Sequence, residues 1–313
     1  MAVVGPTATG KSELGVRLAA ELGGEVVNAD AMQLYQGMDI GTAKITTEEQ
    51  AGIPHHLLDV WPVTQNANVA DYQQRSREVV DRLLSRGIVP IMVGGSGLYV
   101  RSALDEMEFP GTDSRVRARY EELLAEQGSY ALHHHLAELD PAAALAILPS
   151  NGRRVVRALE VIELTGRPYP ATLRTPAPRY PTVYVGIDRT AVALDDRVNR
   201  RVERMWQAGL VAEVQALVDQ GLRDGPTARR ALGYRHVLEM FDGTLTEEDA
   251  KAATALRTRQ FVRRQRSWFR RDHRITWLDG SDSRLFSQAL ELVEAGRRPE
   301  APHAKGVPLR PVD

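Results

Sequence analysis

The run Gly5-Pro6-Thr7-Ala8-Thr9-Gly10-Lys11-Ser12 constrains this chain more than any other stretch. It spells G-x-x-x-x-G-K-S. An apolar run, Ala2-Val3-Val4, precedes it, and the helix-patterned segment Glu13 to Ala20 follows. This is the strand–loop–helix context in which backbone N–H groups and a helix N-terminus gather phosphate oxygens. Lys11 adds a positive charge. Ser12 adds a hydroxyl that can ligate Mg2+, and Thr7 places a second hydroxyl inside the cradle. A glycine-rich turn capping a helix is the bland alternative. The loop does not say whose phosphates it holds. The fold class it implies is α/β: a P-loop NTPase-like parallel sheet flanked by helices.

A second strand, Glu25 to Ala29, ends at Asp30. Ligands of open parallel sheets sit at the carboxyl ends of strands, so Asp30 belongs to the same crevice as the loop. Three roles compete for it: Mg2+ ligand, general base, or helix N-cap. Asp30-Ala31-Met32-Gln33 also brings an amide, on Gln33, that suits an adenine edge. His55-His56 has no third ligand at metal spacing and reads as packing or hydrogen bonding. A helix from Asp71 to Arg86 leads to the apolar strand Ile88 to Val93 and then Gly94-Gly95-Ser96-Gly97. There Ser96 can donate to a bound group, or the turn is merely a turn.

The pattern changes at about Gly111. Residues 113–128, 130–139 and 151–161 read as helices without a strand between them, which predicts a helical insertion over 111–181. The run His133-His134-His135 cannot face one ion and reads as solvated surface. The strand Thr182 to Ile187 returns the chain to the sheet. A helix from Leu194 to Ala208 then carries Arg197, Arg200, Arg201 and Arg204. Another, from Glu247 to Arg271, carries one stripe of Arg259, Arg263, Arg266 and Arg270 and a second of Arg257, Arg264 and Arg271. Phe261, Val262, Trp268 and Phe269 form the sector between them, so the apolar residues can pack while both stripes stay accessible. The core is thus expected over 1–110 and 182–294, with a disordered tail over 295–313.

Composition narrows the function classes. The 313 residues carry a formal net charge of −1, so no global field marks a polyanion binder. The basic residues are 36 Arg against 4 Lys, and Arg suits phosphates and stacked bases. Genomic bias explains that excess equally well. Cysteine is absent, which excludes disulfides, thiolate zinc sites and cysteine nucleophiles. No apolar run is long enough to span a membrane, and the N-terminus has no secretory pattern. A soluble cytoplasmic protein is expected, with no membrane partner.

With these pieces in order, the chain resembles the tRNA dimethylallyltransferases from Gly5 to about Leu278. GPTATGKS (5–12) alone is shared by many families. NADAMQLYQGMDIGTAK (28–44), PHHLLDV (54–60), VGGSGLYV (93–100), LDPAAALAILPSNGRRVVRALEV (139–161), RRALGYR (229–235) and TRQFVRRQRSWFR (258–270) carry the specificity. The resemblance implies transfer of a dimethylallyl group from dimethylallyl diphosphate to the N6 amine of a flipped adenosine 37 in tRNA. It makes Gly5 to Ser12 the diphosphate cradle, Asp30 the general base and Thr7 the residue at the reacting end. Lys11, Ser12 with Mg2+, and Arg201 then neutralise the leaving group. It implies tRNA contacts at Asp30, Ala31, Met32, Gln33, Ser96, Arg117, Asn151, Gly152, Arg153, Arg154 and Val155. Further contacts fall at Arg229, Arg230, Gly233, Tyr234, Arg263, Arg264, Gln265, Arg266, Trp268 and Arg270. The insertion becomes a clamp on the anticodon arm, and the enzyme a monomer. Departures are modest: Ala31 stands where Ser is common, Arg153 where Gln is common, and Arg263 and Ser267 where Lys and Thr are common. Without a cysteine-based finger, a bacterial-type enzyme is implied. The alternatives are a prenyltransferase of free adenine nucleotides, an ATP-binding P-loop NTPase or kinase acting on RNA, and a non-catalytic RNA binder.

Overall fold

The computed structural model describes residues 1–169 and 176–297. The chain divides into two compact units, one formed by 1–104 together with 180 onward, the other by 105–179. The second unit opens at Asp105, earlier than the change of pattern at Gly111. The tail expected to be disordered lies outside the described residues from 298 onward. Its first residues, 295–297, instead close the last helix.

The chain enters the sheet at once. Strand β1 (Ala2–Val4) leads through the phosphate loop to helix α1 (Lys11–Leu22) and β2 (Gly24–Asn28). The short β3 (His55–His56), α2 (Val69–Ser85), β4 (Val89–Gly94) and α3 (Gly97–Leu104) follow. The second unit supplies α4 (Ser114–Leu139), α5 (Pro141–Ala146) and α6 (Gly152–Thr165). The chain rejoins the sheet at β5 (Tyr184–Asp188) and continues through α7 (Ala191–Gln207), α8 (Leu210–Asp219) and α9 (Tyr234–Phe241). It ends in α10 (Glu247–Phe269), β6 (Ile275–Asp279) and α11 (Leu285–Arg297).

The strand order is β3-β2-β4-β1-β5-β6, and every pairing is parallel. Val3 sits opposite Val93 on one side and Val185 on the other. Successive side chains alternate faces. Val3, Ile91, Val93 and Val185 pack with Leu14 and Leu18 of α1 and Ala289 of α11. Ala2, Val4, Val27 and Met92 pack with Tyr72, Val79 and Leu83 of α2 and with residues of α7 to α10. A parallel sheet buried on both faces explains why β1 reads as an unbroken apolar run. It also sends the ends of β1, β2, β4 and β5 to one edge, where Gly5, Asn28, Gly94 and Asp188 lie. Gly5 has φ 139°, and a Cβ there would come within 2.3 Å of the Ile187 carbonyl oxygen, so only glycine lets the loop leave β1 this way.

Helix α10 buries Ala250, Thr254, Thr258, Val262, Gln265 and Phe269. This stripe differs from the apolar sector drawn from the sequence. Phe261 and Trp268 are only partly covered, while Gln265 lies inside the stripe at 5% exposure.

The second unit has its own core of Tyr120, Leu132, Leu136, Ile147, Val155 and Leu159. Its helices start where short polar side chains satisfy orphan N–H groups: Asp113 caps α4, Asp140 caps α5 and Asn151 caps α6. Gly128, at φ 82°, breaks α4 where two helices were expected. Glu160 is fully buried and accepts from Arg117 at 2.7 Å, from Arg157 at 2.8 Å and from the Asp113 N–H at 3.1 Å. Burial works against its ionisation, but the two guanidiniums outweigh it and hold the carboxyl below its ordinary value. His133 corrects the solvated reading of the histidine run. Its Nε2 lies 2.9 Å from the Ala144 and Ile147 carbonyls at the end of α5, and only His134 and His135 are exposed.

Candidate active site

The phosphate loop is fixed by side chains from distant parts of the first unit. Gln265 Oε1 accepts from the Thr7 N–H at 2.9 Å. Arg197 Nε donates to the Ala8 carbonyl at 2.6 Å, and Arg189 Nε to the Thr9 carbonyl at 3.2 Å. The Pro6 carbonyl accepts from Lys11 Nζ at 2.6 Å and from Thr9 Oγ1 at 3.0 Å. In a trans peptide the C=O and N–H point opposite ways. The two arginines therefore turn the Thr9 and Gly10 N–H groups away from themselves. Ala8 at φ 69° and Gly10 at φ 104° supply the left-handed residues that this curvature needs. Helix α1 then starts with no side-chain cap, which leaves its positive end to a ligand.

Asp30 is held from behind. The buried Asn28 amide donates to the Asp30 and Leu57 carbonyls at 3.1 and 2.9 Å, and accepts from the Asp30 N–H at 3.0 Å. Tyr72 donates its hydroxyl to the Asn28 carbonyl at 2.9 Å. Ser96 Oγ accepts from the Ala31 N–H at 3.2 Å. Asp30 Oδ1 accepts from the Met32 N–H at 3.0 Å, but no helix follows, so this is an Asx turn and the N-cap reading falls away.

These groups share a cleft of about 1390 Å³ whose lining includes Thr7, Lys11, Asp30, Gln33, Arg197 and Arg201. Burial lowers the Lys11 pKa to about 8. The Asp30 charge opposes that shift and Arg201 adds to it. Burial likewise lowers Arg201, again opposed by Asp30. Two desolvated cations thus share one carboxylate, a surplus that suits an anionic ligand.

A support that the sequence reading passed over is Glu213. Its carboxylate accepts from the Ile40 N–H at 2.7 Å, from Asp39 and Gly41 at 3.2 Å, and from the Tyr234 hydroxyl at 2.5 Å. It pins the segment whose Thr42 carbonyl receives Arg201 at 2.8 Å and Gln33 at 3.3 Å. Its signal in the sequence is an acidic residue in the first turn of a largely apolar helix, α8.

The residues expected at RNA fall into two groups. Arg229, Arg230, Arg263, Arg264 and Arg270 are exposed in the first unit, and Asn151, Arg153 and Arg154 in the second. Ala31, Met32, Gln33 and Trp268 are half-buried, and Ser96 lies beside Ala31. Others are structural in this conformation. Tyr234 and Val155 have 0% exposure, Gly233 is buried as the N-cap of α9, and Gln265 is buried with both ends of its amide occupied. Arg117 serves Glu160, and Gly152 lies against Leu124, which a Cβ would approach to 2.7 Å. Arg266 and Arg270 both reach Asp188 Oδ2, at 3.0 and 3.1 Å. Gln33 spends its amide donors on Thr42 and Ala43. His55 and His56 pair with the Ile53 carbonyl and with Glu25, as a packing role requires. Among the described residues no three His, Cys, Asp or Glu gather as metal ligands. Nor is any helix there long and apolar enough to cross a membrane.

A family model described as IPP transferase matches residues 33–272. A tRNA dimethylallyltransferase of Salinispora tropica is 60% identical over 296 residues, covering 95% of this chain and 93% of its own. That of Thermobifida fusca is 61% identical over 298 residues, covering 94% and 93%. The crystal structure of the tRNA isopentenylpyrophosphate transferase of Bacillus halodurans superposes with a TM-score of 0.70 at 38% identity, covering 94% of this chain and 96% of its own. A eukaryotic dimethylallyltransferase acting on tRNA gives 0.79 at 25% identity, covering 94% and 77%. The family model spans most of the chain and these relatives match nearly all of it, and the chain belongs to the IPP transferase family.

Proposed function

We propose that this protein transfers the dimethylallyl group of dimethylallyl diphosphate to N6 of adenosine 37 in tRNA, releasing pyrophosphate. The observation that carries the reading is the shared cleft: Asp30 faces the same space as the phosphate loop, Lys11 and Arg201. The relatives named for this reaction match nearly the whole chain. A bond forms between N6 and the first allylic carbon as the bond from that carbon to the diphosphate oxygen breaks. Asp30 accepts the proton that N6 loses. Charge accumulates on the diphosphate, where the loop N–H groups, the start of α1, Lys11 and Arg201 lower the barrier. Thr7 stands at the end of the cradle nearest the breaking bond. The oxygen donors in the cleft suit a hard cation, and the exposed Ser12 hydroxyl would hold Mg2+, with remaining ligands from diphosphate and water. Bound there, Mg2+ would neutralise part of the leaving-group charge.

The exposed arginines of α10, of residues 229–230 and of the second unit would hold the phosphates of the anticodon arm. On this reading the enzyme acts as a monomer where tRNA resides, in the cytoplasm. Incubation with dimethylallyl diphosphate and unmodified tRNA tests the reading. It predicts N6-dimethylallyladenosine at position 37 and one pyrophosphate per transfer. Transfer to free adenine nucleotide instead, or ATP hydrolysis without transfer, overturns it. Titration of ATP against dimethylallyl diphosphate then ranks the loop's ligands.

A further inference from the structure

The family motif around residues 258–270 marks α10 as an RNA-facing helix, and the exposed Arg263, Arg264 and Arg270 fit that. Gln265 sits among them in sequence but points the other way. It is 5% exposed. Its Oε1 accepts from the Thr7 N–H and its Nε2 donates to the Gly95 carbonyl, each at 2.9 Å. A side-chain amide is the neutral group of this size that offers an acceptor and a donor side by side. The Pro6–Thr7 peptide is thereby fixed at both ends, since its carbonyl already holds Lys11 and Thr9. Gly95 makes room for this reach. A Cβ there would lie 2.5 Å from Gln265 Nε2 and 3.4 Å from the Gly5 carbonyl oxygen.

We infer that Gln265 is a positioning residue of the diphosphate site, not an RNA contact. It sets the orientation of the Thr7 peptide, and through it the hydroxyl and the following N–H groups that meet the leaving group. The inference rests on the diphosphate reading of the loop. It assigns one face of α10 to the polynucleotide and the opposite face to the small substrate.

The test starts from pyrophosphate binding, followed by calorimetry without turnover, beside tRNA binding and steady-state kinetics. Gln265→Met keeps the length and removes both hydrogen bonds. It should weaken pyrophosphate binding and raise KM for dimethylallyl diphosphate by about tenfold or more, with the tRNA Kd within about twofold of wild type. Gln265→Glu should behave likewise at neutral pH, because a carboxylate repels the Gly95 carbonyl. Its activity relative to wild type should recover as the pH falls, since a protonated carboxyl again offers donor and acceptor. Gln265→Met should show no such recovery, and a merely structural defect would not either. Gly95→Ala pushes on the same contact from the turn that follows β4. It should reproduce the pyrophosphate defect and keeps the proposal testable if Gln265→Met does not fold. A weaker tRNA Kd with unchanged pyrophosphate binding overturns the inference and returns Gln265 to the RNA interface. Wild-type protein that fails to bind pyrophosphate at all overturns the diphosphate reading with it.

Discussion

The phosphate loop and the arginine-bearing faces both suit polyanions, by opposite means. In the loop the Thr7 N–H and the Pro6, Ala8 and Thr9 carbonyls all have fixed side-chain partners, drawn from α1, α7, α10 and the end of β5. On the outer side of α10, Arg263 and Arg270 keep 64% and 59% of their side chains exposed. Where charge develops during bond breaking, dipoles that must reorganise give little, so the donors are set in advance. Where a phosphate only needs holding, a long mobile cation serves and tolerates variation in the RNA.

The sharpest way to break that contrast is at Asp30. Asp30→Ala should lower turnover by roughly two or more orders of magnitude while tRNA binding persists. Equal losses in binding and turnover would put Asp30 with the holding groups instead. Glu160 asks whether Arg117 belongs with the fixed cations rather than the exposed ones. Glu160→Gln should destabilise the second unit by about 2 kcal/mol, read by thermal or urea unfolding. Because this carboxyl is held below its ordinary value, its contribution is present above the unfolded pKa of about 4.3 and is lost as the pH falls through the depressed folded value. The variant should flatten that acid limb, and an unchanged limb would show that the pair is not what the acid disrupts.

Lys11 gives a smaller effect. With its pKa lowered to about 8, pyrophosphate affinity should fall by up to roughly tenfold per unit as the pH rises beyond that value, and the Lys11→Met variant should lack this component. In the unliganded protein the sign is opposite. The folded chain binds fewer protons at Lys11 than the unfolded chain between about 8 and 10.5, so stability from this group rises with pH across that window. Arg263→Ala should have the mildest consequence, a several-fold weaker tRNA affinity and a salt slope shallower by about one. An unchanged slope would remove Arg263 from the phosphate contacts.

The parts legible in the sequence are the local ones. Residues 1–30 announce a strand, a loop and a helix because period and glycine spacing are read within one window, and Asp30 follows from the rule for strand ends. The supports are remote. Gln265 lies 258 positions from Thr7, and a helical wheel that sorts by hydropathy sets a glutamine beside its arginine neighbours. Tyr234 sits in an arginine-rich run, yet its ring fills the core and its hydroxyl goes to Glu213, so composition suggested a surface that packing had already used. Glu213 left little trace because three of its four partners are backbone N–H groups, which no side-chain motif records.

The way the sheet is threaded also sets a clock on synthesis. β1 is flanked by β4 and β5, and the whole second unit is translated between those two strands. The amide that fixes Thr7 appears later still. At about 5–20 residues per second, roughly 10–50 s separate Thr7 from Gln265 on the ribosome. A nascent chain can carry the complete glycine-rich signature through most of its elongation and still lack the cradle, which closes only once α10 has emerged.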